Sequence, residues 1–453
     1  MENFDQIRSM YFLGIGGIGM SALARYFHSR GVRVCGYDRI STSLTDNLQQ
    51  EGMEIHFTED VQLLPDDIEL VVYTPAIPVN SLLFAHLAGT HIPMKKRAEI
   101  IGMIGAGLPT IAIAGTHGKT TICCMLAHIF MVANMPFEGL MGGIATNYNT
   151  NYLSIAGARW MLVEADEYDR SFLHLNPEMA LITSIDADHL DIYGSENKLR
   201  DSFVEFTQNI KPQGLLLIKE GIDIPVRHQA RQYTYHLQKH SDFYASEYTL
   251  KDGQFFVNMA GHIQINTFRM GLSGRHNIEN AIAAAALASF AGVDSKDIQH
   301  GLSSFMGVKR RFEVCFRHPE TTYIDDYAHH PEELKACIEA VRELFPGKKI
   351  TGIFQPHLFS RTRDLASGFA NSLAMLDELI LLDIYPAREE PIPGINAAWL
   401  LEQIPLSNKS MVSKEQLVRV LERKNTEILI TLGAGDIDKL VSPIREMLEK
   451  KLL

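Results

Sequence analysis

The chain has 453 residues, of which 46% are hydrophobic and 21% are charged, and its formal net charge is −12 at pH 7. A chain of this length exceeds a single hydrophobic core and predicts about two to four domains. The acidic balance argues against a nucleic-acid-binding protein, and no apolar run is long enough for a membrane span. The N-terminus lacks a secretory pattern and the five cysteines are scattered, so we expect a cytoplasmic protein.

A glycine-rich turn follows the first predicted strand, residues 10–13. It reads Gly14-Ile15-Gly16-Gly17-Ile18-Gly19 and leads into an amphipathic helix from residue 20 to about 29. A second strand at residues 32–36 precedes Asp38, which completes a Rossmann fingerprint. The pattern predicts that a diphosphate binds at the helix N-terminus. Both NAD and a UDP-sugar contain a diphosphate, so either could be the ligand.

Two features precede the central segment. The triplet Lys95-Lys96-Arg97 is typical of a solvated charged face. Residues 105–109 are rich in glycine and end in proline, which is typical of a linker between domains.

A phosphate-binding loop is predicted between an apolar strand, residues 111–114, and a helix at 121–132. The loop reads Gly115-Thr116-His117-Gly118-Lys119-Thr120-Thr121. Its glycines let backbone N–H groups converge on phosphate oxygens, Lys119 can reach a terminal phosphate, and the Thr120 hydroxyl can ligate Mg²⁺. The spacer between the glycines is shorter than in the usual triphosphate loop, so the match rests on Gly-Lys-Thr and on its setting.

Acidic residues follow the next strands of the central segment. A glycine-rich stretch, residues 139–147, is expected to form a loop over a ligand, and a buried strand at 160–163 ends at Glu164-Ala165-Asp166-Glu167. A further strand at 180–185 leads to His189 between two aspartates. Acids at such a strand end are placed as Mg²⁺ ligands. A solvated turn and a structural histidine are the respective alternatives.

The remaining chain predicts short strands and then a further α/β segment. Residues 213–270 indicate strands with polar turns, and His276 and Asn277 open an alanine-rich helix at 278–291, where they could cap it or contact a ligand. Predicted strands at 322–324, 349–354, 378–382 and 427–432 alternate with helices at 331–344, 363–376 and 414–423. Polar clusters at 325–331 and 355–363 follow two of these strands, where such sheets bind ligands.

Together these motifs resemble those of the Mur ligases, the ATP-dependent amide-forming enzymes of peptidoglycan synthesis. The resemblance covers essentially the whole chain, and it includes the short phosphate loop, Glu164-Ala165-Asp166-Glu167, Lys309-Arg310-Arg311-Phe312 and Gln355-Pro356-His357. It implies an α/β protein of three domains. These are a Rossmann-like UDP-sugar-binding domain at 1–107, a central P-loop ATPase domain with a parallel sheet at 108–314, and a Rossmann-like C-terminal domain at 315–453 that closes over ATP and the amino acid.

The resemblance also implies a reaction, in which L-alanine is joined to the lactyl carboxylate of UDP-N-acetylmuramate through an acyl phosphate, with ATP and Mg²⁺. A monomer or homodimer is expected. ATP is assigned to Gly115, Thr116, His117, Gly118, Lys119, Thr120, Thr121, His276, Asn277, Asn280, Arg311 and Asp326. The substrates are assigned to Gly14, Gly16, Gly17, Gly19, Asp38, Tyr327, His329, His357 and Arg361. Catalysis is assigned to Lys119, Glu164, His189, His329 and Arg361, and Mg²⁺ to Thr120, Glu164 and His189.

Two positions depart from the patterns of relatives. Leu358 stands where many Mur ligases have arginine, and Phe203 lies near the place where later ligases of the pathway carry a carbamylated lysine. The second departure is consistent with an alanine-adding enzyme. The alternatives are a recycling ligase that attaches whole peptides to UDP-N-acetylmuramate, a nicotinamide oxidoreductase, and a nucleotide-dependent switch protein. The oxidoreductase is supported only by the N-terminal fingerprint, and a switch would not need the C-terminal histidines and arginines.

Overall fold

The computed structural model describes residues 4–78, 80–186, 193, 195–225, 229–238, 240–251, 253–387 and 389–452. The chain divides into two compact units. The first comprises Met1–Tyr248, Val257–Arg269 and Glu279–Phe305, and the second comprises Thr249–Phe256, Met270–Ile278 and Met306–Leu453. Among the helices within the described ranges, none combines the length and apolar character that a membrane crossing needs.

The N-terminal part of the first unit is a parallel five-stranded sheet in the order β3-β2-β1-β4-β5. Its strands are β1 (Ser9–Leu13), β2 (Arg33–Tyr37), β3 (Glu54–His56), β4 (Leu70–Tyr73) and β5 (Met94–Lys96). Its helices are α1 (Ile18–His28), α2 (Ser43–Gln50), α3 (Leu82–Ala88) and α4 (Arg97–Gly105). Short 3-10 helices span Phe4–Gln6 and Val61–Leu63.

The central strand β1 is buried along its whole length because helices cover both faces of the sheet. Met10 and Phe12 pack on one side with residues of α1 and α4, whereas Tyr11 and Leu13 pack on the other side with residues of α3. The strand order reverses between β1 and β4, and the glycine-rich turn leaves β1 at this switch point. Open α/β sheets bind their ligands at such points.

A ten-stranded sheet follows, in the order β15-β14-β13-β12-β11-β10-β6-β9-β7-β8. Its strands are β6 (Thr110–Ala114), β7 (Phe137–Ala145), β8 (Thr150–Ile155), β9 (Trp160–Glu164), β10 (Met179–Ile182), β11 (Leu215–Lys219), β12 (Arg231–His236), β13 (Phe243–Lys251), β14 (Gln254–Gly261) and β15 (Ile265–Arg269). The helices along this stretch are α5 (Lys119–Val132), α6 (Glu196–Gln208), α7 (Arg275–Phe290) and α8 (Ser295–Ser304), with a 3-10 helix at Tyr168–His174.

The three strands β10, β6 and β9 are parallel neighbours, and their pairing decides which side chains meet. Ala114 lies beside Ile182, and Ile113 lies beside Glu164. The phosphate loop that follows β6 is therefore flanked by the residues that follow β10 and by the acid at the end of β9. The sequence expectation of a loop at 139–147 is wrong, because most of this stretch is the strand β7, paired with β8 and β9.

The second unit contains a six-stranded sheet in the order β16-β17-β21-β18-β19-β20, in which only β16 pairs in antiparallel fashion among the described strands. Its strands are β16 (Glu313–Arg317), β17 (Thr322–Asp326), β18 (Ile350–Phe354), β19 (Glu378–Leu381), β20 (Lys409–Met411) and β21 (Ile428–Leu432). Its helices are α9 (Pro331–Leu344), α10 (Phe359–Asp364), α11 (Ala366–Leu373), α12 (Ala397–Gln403), α13 (Lys414–Glu422) and α14 (Val441–Leu452), with a 3-10 helix at Asp436–Leu440.

The single helix expected at 363–376 is wrong. The chain instead forms α10 and α11, which Leu365 separates with non-helical backbone angles. In other respects the three mostly parallel sheets with their helices confirm the predicted α/β class.

Candidate active site

The phosphate loop requires its two glycines. Gly115 and Gly118 have φ values of 122° and 80°, which side chains rarely adopt. A Cβ on Gly115 would overlap the Thr183 hydroxyl, and a Cβ on Gly118 would lie 2.9 Å from the amide oxygen of Asn280. The backbone can therefore close over this space only without side chains, and the predicted ATP ligand Asn280 lies directly against the loop.

Residues after β10 hold the phosphate loop from the side. The Ser184 hydroxyl accepts a hydrogen bond from the N–H of His117 at 3.0 Å and lies 2.7 Å from the hydroxyl of Thr116. The Thr183 hydroxyl donates to the carbonyl of His117 at 2.5 Å, and the His117 ring lies 3.3 Å from the carboxylate of Asp186. Ser184 and Thr183 were not among the predicted residues, because nothing in the local sequence marks them as partners of the loop.

Lys119 begins helix α5 and points at a buried carboxylate. Its ammonium donates to both oxygens of Glu167 at 2.8 Å and to the carbonyl of Gly115 at 2.6 Å. Burial alone would lower the pKa of Lys119, but the charges of Glu167 and Asp166 outweigh it and raise the pKa above its ordinary value. The lysine is therefore a fixed positive charge beside the loop, and Glu167 is a site residue that the sequence analysis did not assign.

The predicted Mg²⁺ ligands Thr120 and Glu164 lie together. The Thr120 hydroxyl donates to Glu164 at 3.1 Å, and the N–H of Gly142 donates to the other carboxylate oxygen at 2.6 Å. Burial raises the pKa of Glu164, and the Gly142 N–H and the Lys119 charge oppose that rise. A Cβ on Gly142 would lie 2.5 to 2.7 Å from the Glu164 carboxyl group, so the glycine leaves room for it.

This oxygen-rich pair fits a hard cation such as Mg²⁺. Within the described part of the chain, no group of three or more histidine, cysteine, aspartate or glutamate side chains is arranged to hold a metal ion. The third predicted ligand, His189, lies outside the described residues.

Two residues of the basic triplet form ion pairs with the acidic turn at the end of β9, residues 164–169. Lys96 lies 3.2 Å from Asp169, and Arg97 lies 3.4 Å from Asp166. The Arg97 guanidinium also lies against Gly19, where any Cβ would overlap it. The expectation of a merely solvated face is therefore wrong for Arg97, which joins the glycine-rich turn of α1 to the acidic motif.

The glycine-rich turn after β1 is shaped by its own acid. Asp38 accepts a hydrogen bond from the N–H of Gly16 at 2.8 Å, and the N–H of Gly14 donates to the carbonyl of Tyr37 at 2.8 Å. Gly17 is the N-cap residue of α1, whose first turn begins at Ile18. Asp38 thus orients the turn, and N–H groups of the first helical turn face the point where a diphosphate would bind.

The second unit carries the predicted residues at the start of α7. Asn277 is buried, and its side-chain amide donates to the carbonyl of Ser273 at 2.7 Å. The ring of His276 lies 6.4 Å from the ring of Phe312, which follows Arg311 in the chain.

The segment around Arg311 has an unusual backbone that Asp326 supports. Arg310 and Phe312 have φ values of 62° and 53°, and the N–H of Phe312 donates to Asp326 at 2.7 Å. Burial raises the pKa of Asp326 to about 6, although the Arg311 charge opposes the rise. The Arg311 guanidinium lies 5.0 Å from the Tyr327 ring centre. Arg311, Asp326 and Tyr327, all predicted, therefore belong to one cluster.

The histidines after β17 and β18 lie in the same cluster. The His329 ring is 5.2 Å from the Tyr327 ring and 6.0 Å from the His357 ring. Its Nδ1 lies 3.1 Å from the carbonyl of Tyr327 and 3.2 Å from Glu333. Two acceptors at Nδ1 indicate that this atom carries the proton and that Nε2 has a free electron pair.

Burial favours the neutral form of the His329 ring. Burial lowers the pKa of His329, Glu333 opposes this change, and the Arg361 charge lowers the pKa further. Arg361 lies on α10, which begins after Leu358, a residue with a φ of 68°. Glu333 and Tyr385, whose ring stacks on His357 at 5.6 Å, were missed by the sequence analysis.

The two glycine-rich loops at helix N-termini and the buried lysine–carboxylate pair define a nucleotide-binding α/β protein. Three family models match in succession: Mur ligase family, catalytic domain, at residues 9–107; Mur ligase middle domain at 113–288; and Mur ligase, glutamate ligase domain, at 310–435. The chain therefore belongs to the Mur ligase family, and it contains all three of the family's domains.

Individual relatives agree with this assignment. The chain is 45% identical to the UDP-N-acetylmuramate–L-alanine ligase of Cytophaga hutchinsonii, over 99% of this chain and 98% of the relative. It is 44% identical to the enzyme of the same name from Parabacteroides distasonis, over 99% of each chain. Its fold is similar to the solved structure of the UDP-N-acetylmuramate–alanine ligase of Thermotoga maritima, with a TM-score of 0.83 at 24% identity over 98% of this chain and 99% of that one.

Proposed function

We propose that this chain is an ATP-dependent ligase that joins L-alanine to the lactyl carboxylate of UDP-N-acetylmuramate in peptidoglycan biosynthesis. The observation that carries the proposal is its 45% identity to an alanine ligase along nearly the full length of both chains. The peptide-recycling alternative is not favoured, because the relatives that are 44% and 45% identical over nearly the whole chain are both named as alanine ligases. We retain the domain limits 1–107, 108–314 and 315–453 as part of the proposal.

The phosphates of ATP are assigned to the loop Gly115, Thr116, His117, Gly118, Lys119, Thr120 and Thr121. Its N–H groups and the Lys119 charge would neutralise the terminal phosphates as charge moves during transfer. Thr120 and Glu164, with His189, would hold Mg²⁺, which when bound screens the phosphate charges. Asn280 is proposed as a further contact to the nucleotide because it touches Gly118.

UDP-N-acetylmuramate is assigned to the glycine-rich turn of Gly14, Gly16, Gly17 and Gly19. The diphosphate would accept hydrogen bonds from the first turn of α1, and Asp38, which holds the turn in place, is proposed as a further contact of the ligand. His276, Asn277, Arg311 and Asp326 are proposed contacts of ATP from the second unit, and Tyr327, His329, His357 and Arg361 are proposed contacts of the amino acid and the acyl phosphate.

The proposed reaction has two steps. A lactyl carboxylate oxygen attacks the γ-phosphorus of ATP, the bond to the β–γ bridging oxygen breaks, and ADP and an acyl phosphate result. The L-alanine amine then attacks the acyl carbon, loses a proton, and inorganic phosphate leaves as the amide forms. Positioning and charge neutralisation supply most of the catalysis. We assign the amine proton to Nε2 of His329, whose ring is held neutral by its surroundings.

Phosphate release tests the proposal directly. Purified protein with ATP and Mg²⁺ should release phosphate only when UDP-N-acetylmuramate and L-alanine are both present, and a panel of amino acids and the recycled peptide should give less. Release that depends on the peptide rather than on L-alanine would contradict the proposal in favour of the recycling ligase.

A further inference from the structure

All three N–H donors of the Lys119 ammonium have a protein acceptor nearby. They meet two oxygens of Glu167 at 2.8 Å and the carbonyl of Gly115 at 2.6 Å, and an ammonium group has three donors in total. The proposed reaction nevertheless requires this ammonium to contact the terminal phosphates of ATP. When nucleotide binds, at least one N–H donor of Lys119 must therefore leave its protein acceptor and donate to a phosphate oxygen instead.

The backbone of Glu167 is held in place independently of the lysine. The residue is fully buried, and its carbonyl accepts a hydrogen bond from the hydroxyl of buried Tyr193 at 2.5 Å and another from the N–H of Arg170 at 3.0 Å. The acidic turn is further fixed by the ion pair of Asp166 with Arg97. The backbone that carries Glu167 is therefore fixed, and its buried carboxylate stays within reach of Lys119 when a phosphate arrives.

The carboxylate of Glu167 also resembles a phosphate in what it offers to Lys119. It presents two anionic oxygens to one ammonium at charge-assisted hydrogen-bond distance, as a terminal phosphate would. A buried ammonium without such a partner would be costly, so an anion is needed at this point in every state of the site.

We propose that Glu167 is a positioning residue that stands in for the terminal phosphates of ATP on Lys119 and competes with nucleotide for that ammonium. The inference rests on the proposed function, since it assigns ATP to this loop. When nucleotide leaves, Glu167 returns Lys119 to the same geometry. The competing negative charge weakens nucleotide binding, whereas the fixed lysine favours phosphoryl transfer.

Glu167→Gln keeps the shape of the side chain and removes its charge. We expect this variant to bind ADP about fivefold more tightly and to turn over about tenfold more slowly, because the phosphates meet less competition and the lysine is less well fixed. Asp169→Asn is the matched control. Asp169 lies in the same turn, pairs with Lys96 instead of Lys119, and has a φ of 51° that asparagine tolerates.

Calorimetric titration of ADP with Mg²⁺ into the wild-type chain and both variants measures the competition. The control should leave both ADP affinity and turnover within about twofold of wild type. UDP-N-acetylmuramate affinity should be unchanged in both variants, which verifies that they are folded. Glu167→Gln that binds ADP no more tightly than wild type would overturn the inference and leave Glu167 as a structural partner of Lys119.

A second variant covers the case in which Glu167→Gln does not fold. Tyr193→Phe removes the hydroxyl that anchors the Glu167 carbonyl but keeps the carboxylate, and it should tighten ADP binding in the same direction by a smaller factor. The ADP titration needs no other substrate, so its outcome is independent of the reaction. Failure of the proposed function would appear separately, as wild-type protein that releases no phosphate with all three substrates.

Discussion

Lys119 has the clearest single-residue consequence. Lys119→Ala should abolish ligation, because losing a contact made to the transferring phosphate costs on the order of 3 kcal/mol or more, about a hundredfold in rate. Turnover at saturating ATP and Mg²⁺ is the measurement, and near-normal turnover would contradict the assignment.

The same substitution leaves Glu167 buried without its cation, so part of the loss could come from instability. The double variant Lys119→Met with Glu167→Gln removes both charges and serves as the control. It should recover the thermal stability that Lys119→Ala loses and remain inactive.

Glu164→Gln should raise the Mg²⁺ requirement more than it changes sugar-nucleotide binding. The amide keeps the contacts of the side chain but removes the negative charge that a hard cation prefers. A Mg²⁺ titration of activity beside a calorimetric titration of UDP-N-acetylmuramate separates the two effects. Equal losses in both would mean that Glu164 has a structural role only.

We expect the activity to depend on pH through His329. Burial lowers its pKa below the ordinary value of 6.5, and the neutral ring is the form that can accept a proton, so activity should rise with pH through a value below 6.5. Because Glu333 raises the pKa of His329, Glu333→Gln should move this limb to lower pH, and His329→Gln should remove it. A pH profile of kcat that keeps its limb in His329→Gln would contradict the role.

For single residues, the sequence predicted those that lie within motifs but not the residues that contact them. Lys119, Thr120 and Glu164 stand out because glycines, strand ends and charges mark them. Glu167 and Ser184 reach the loop from 48 and 67 residues away, through strand pairings that no local pattern encodes. Nor does the sequence show that the Asp38 carboxylate accepts a hydrogen bond from the backbone N–H of Gly16 in the glycine-rich turn.

Strand β7 forms where the amino-acid composition predicts a loop. Its glycines suggest a loop, yet Gly142 lies in the strand because the Glu164 carboxylate needs the space that a side chain would fill. The edge strands β16 and β20 and the seven-residue helix α12 were not predicted, since short or edge elements carry weak periodicity. Helix α14 was not predicted either. The apolar strands that precede the two glycine-rich loops were predicted because their burial makes the apolar pattern continuous.

Gly142→Ala tests that close approach. The added Cβ should push the Glu164 carboxylate away from Thr120, and the Mg²⁺ concentration for half-maximal activity should rise about tenfold. Gly107→Ala is the control, because a Cβ there would meet the Ile104 carbonyl at an ordinary 3.5 Å. Equal Mg²⁺ requirements in the two variants would show that Gly142 does not support the cation site.

For the whole molecule, the residues assigned to ATP fall in both compact units. Lys119, Thr120 and Glu164 belong to the first unit, and Arg311 and Asp326 belong to the second. If both sets act on one nucleotide, ligand binding should draw the units together and exclude the water that would hydrolyse an acyl phosphate.

Small-angle scattering should therefore give a smaller radius of gyration with an unreactive ATP analogue, Mg²⁺ and UDP-N-acetylmuramate together than without ligands. Lys119→Ala is the control and should contract less, since it binds the terminal phosphate poorly. An unchanged radius in the wild-type chain under saturating ligands would contradict the division of the ATP contacts between the units.

The course of the chain through the two units also bears on how the protein can be taken apart. The second unit contains residues 249–256 and 270–278 from the middle of the sequence, in addition to residues 306–453. A fragment that starts at residue 306 would lack both segments, and a fragment that ends there would carry them without their packing partners. A cut at residue 305 therefore divides the second unit, and chimaeras between relatives should exchange the interleaved segments together with the C-terminal sheet.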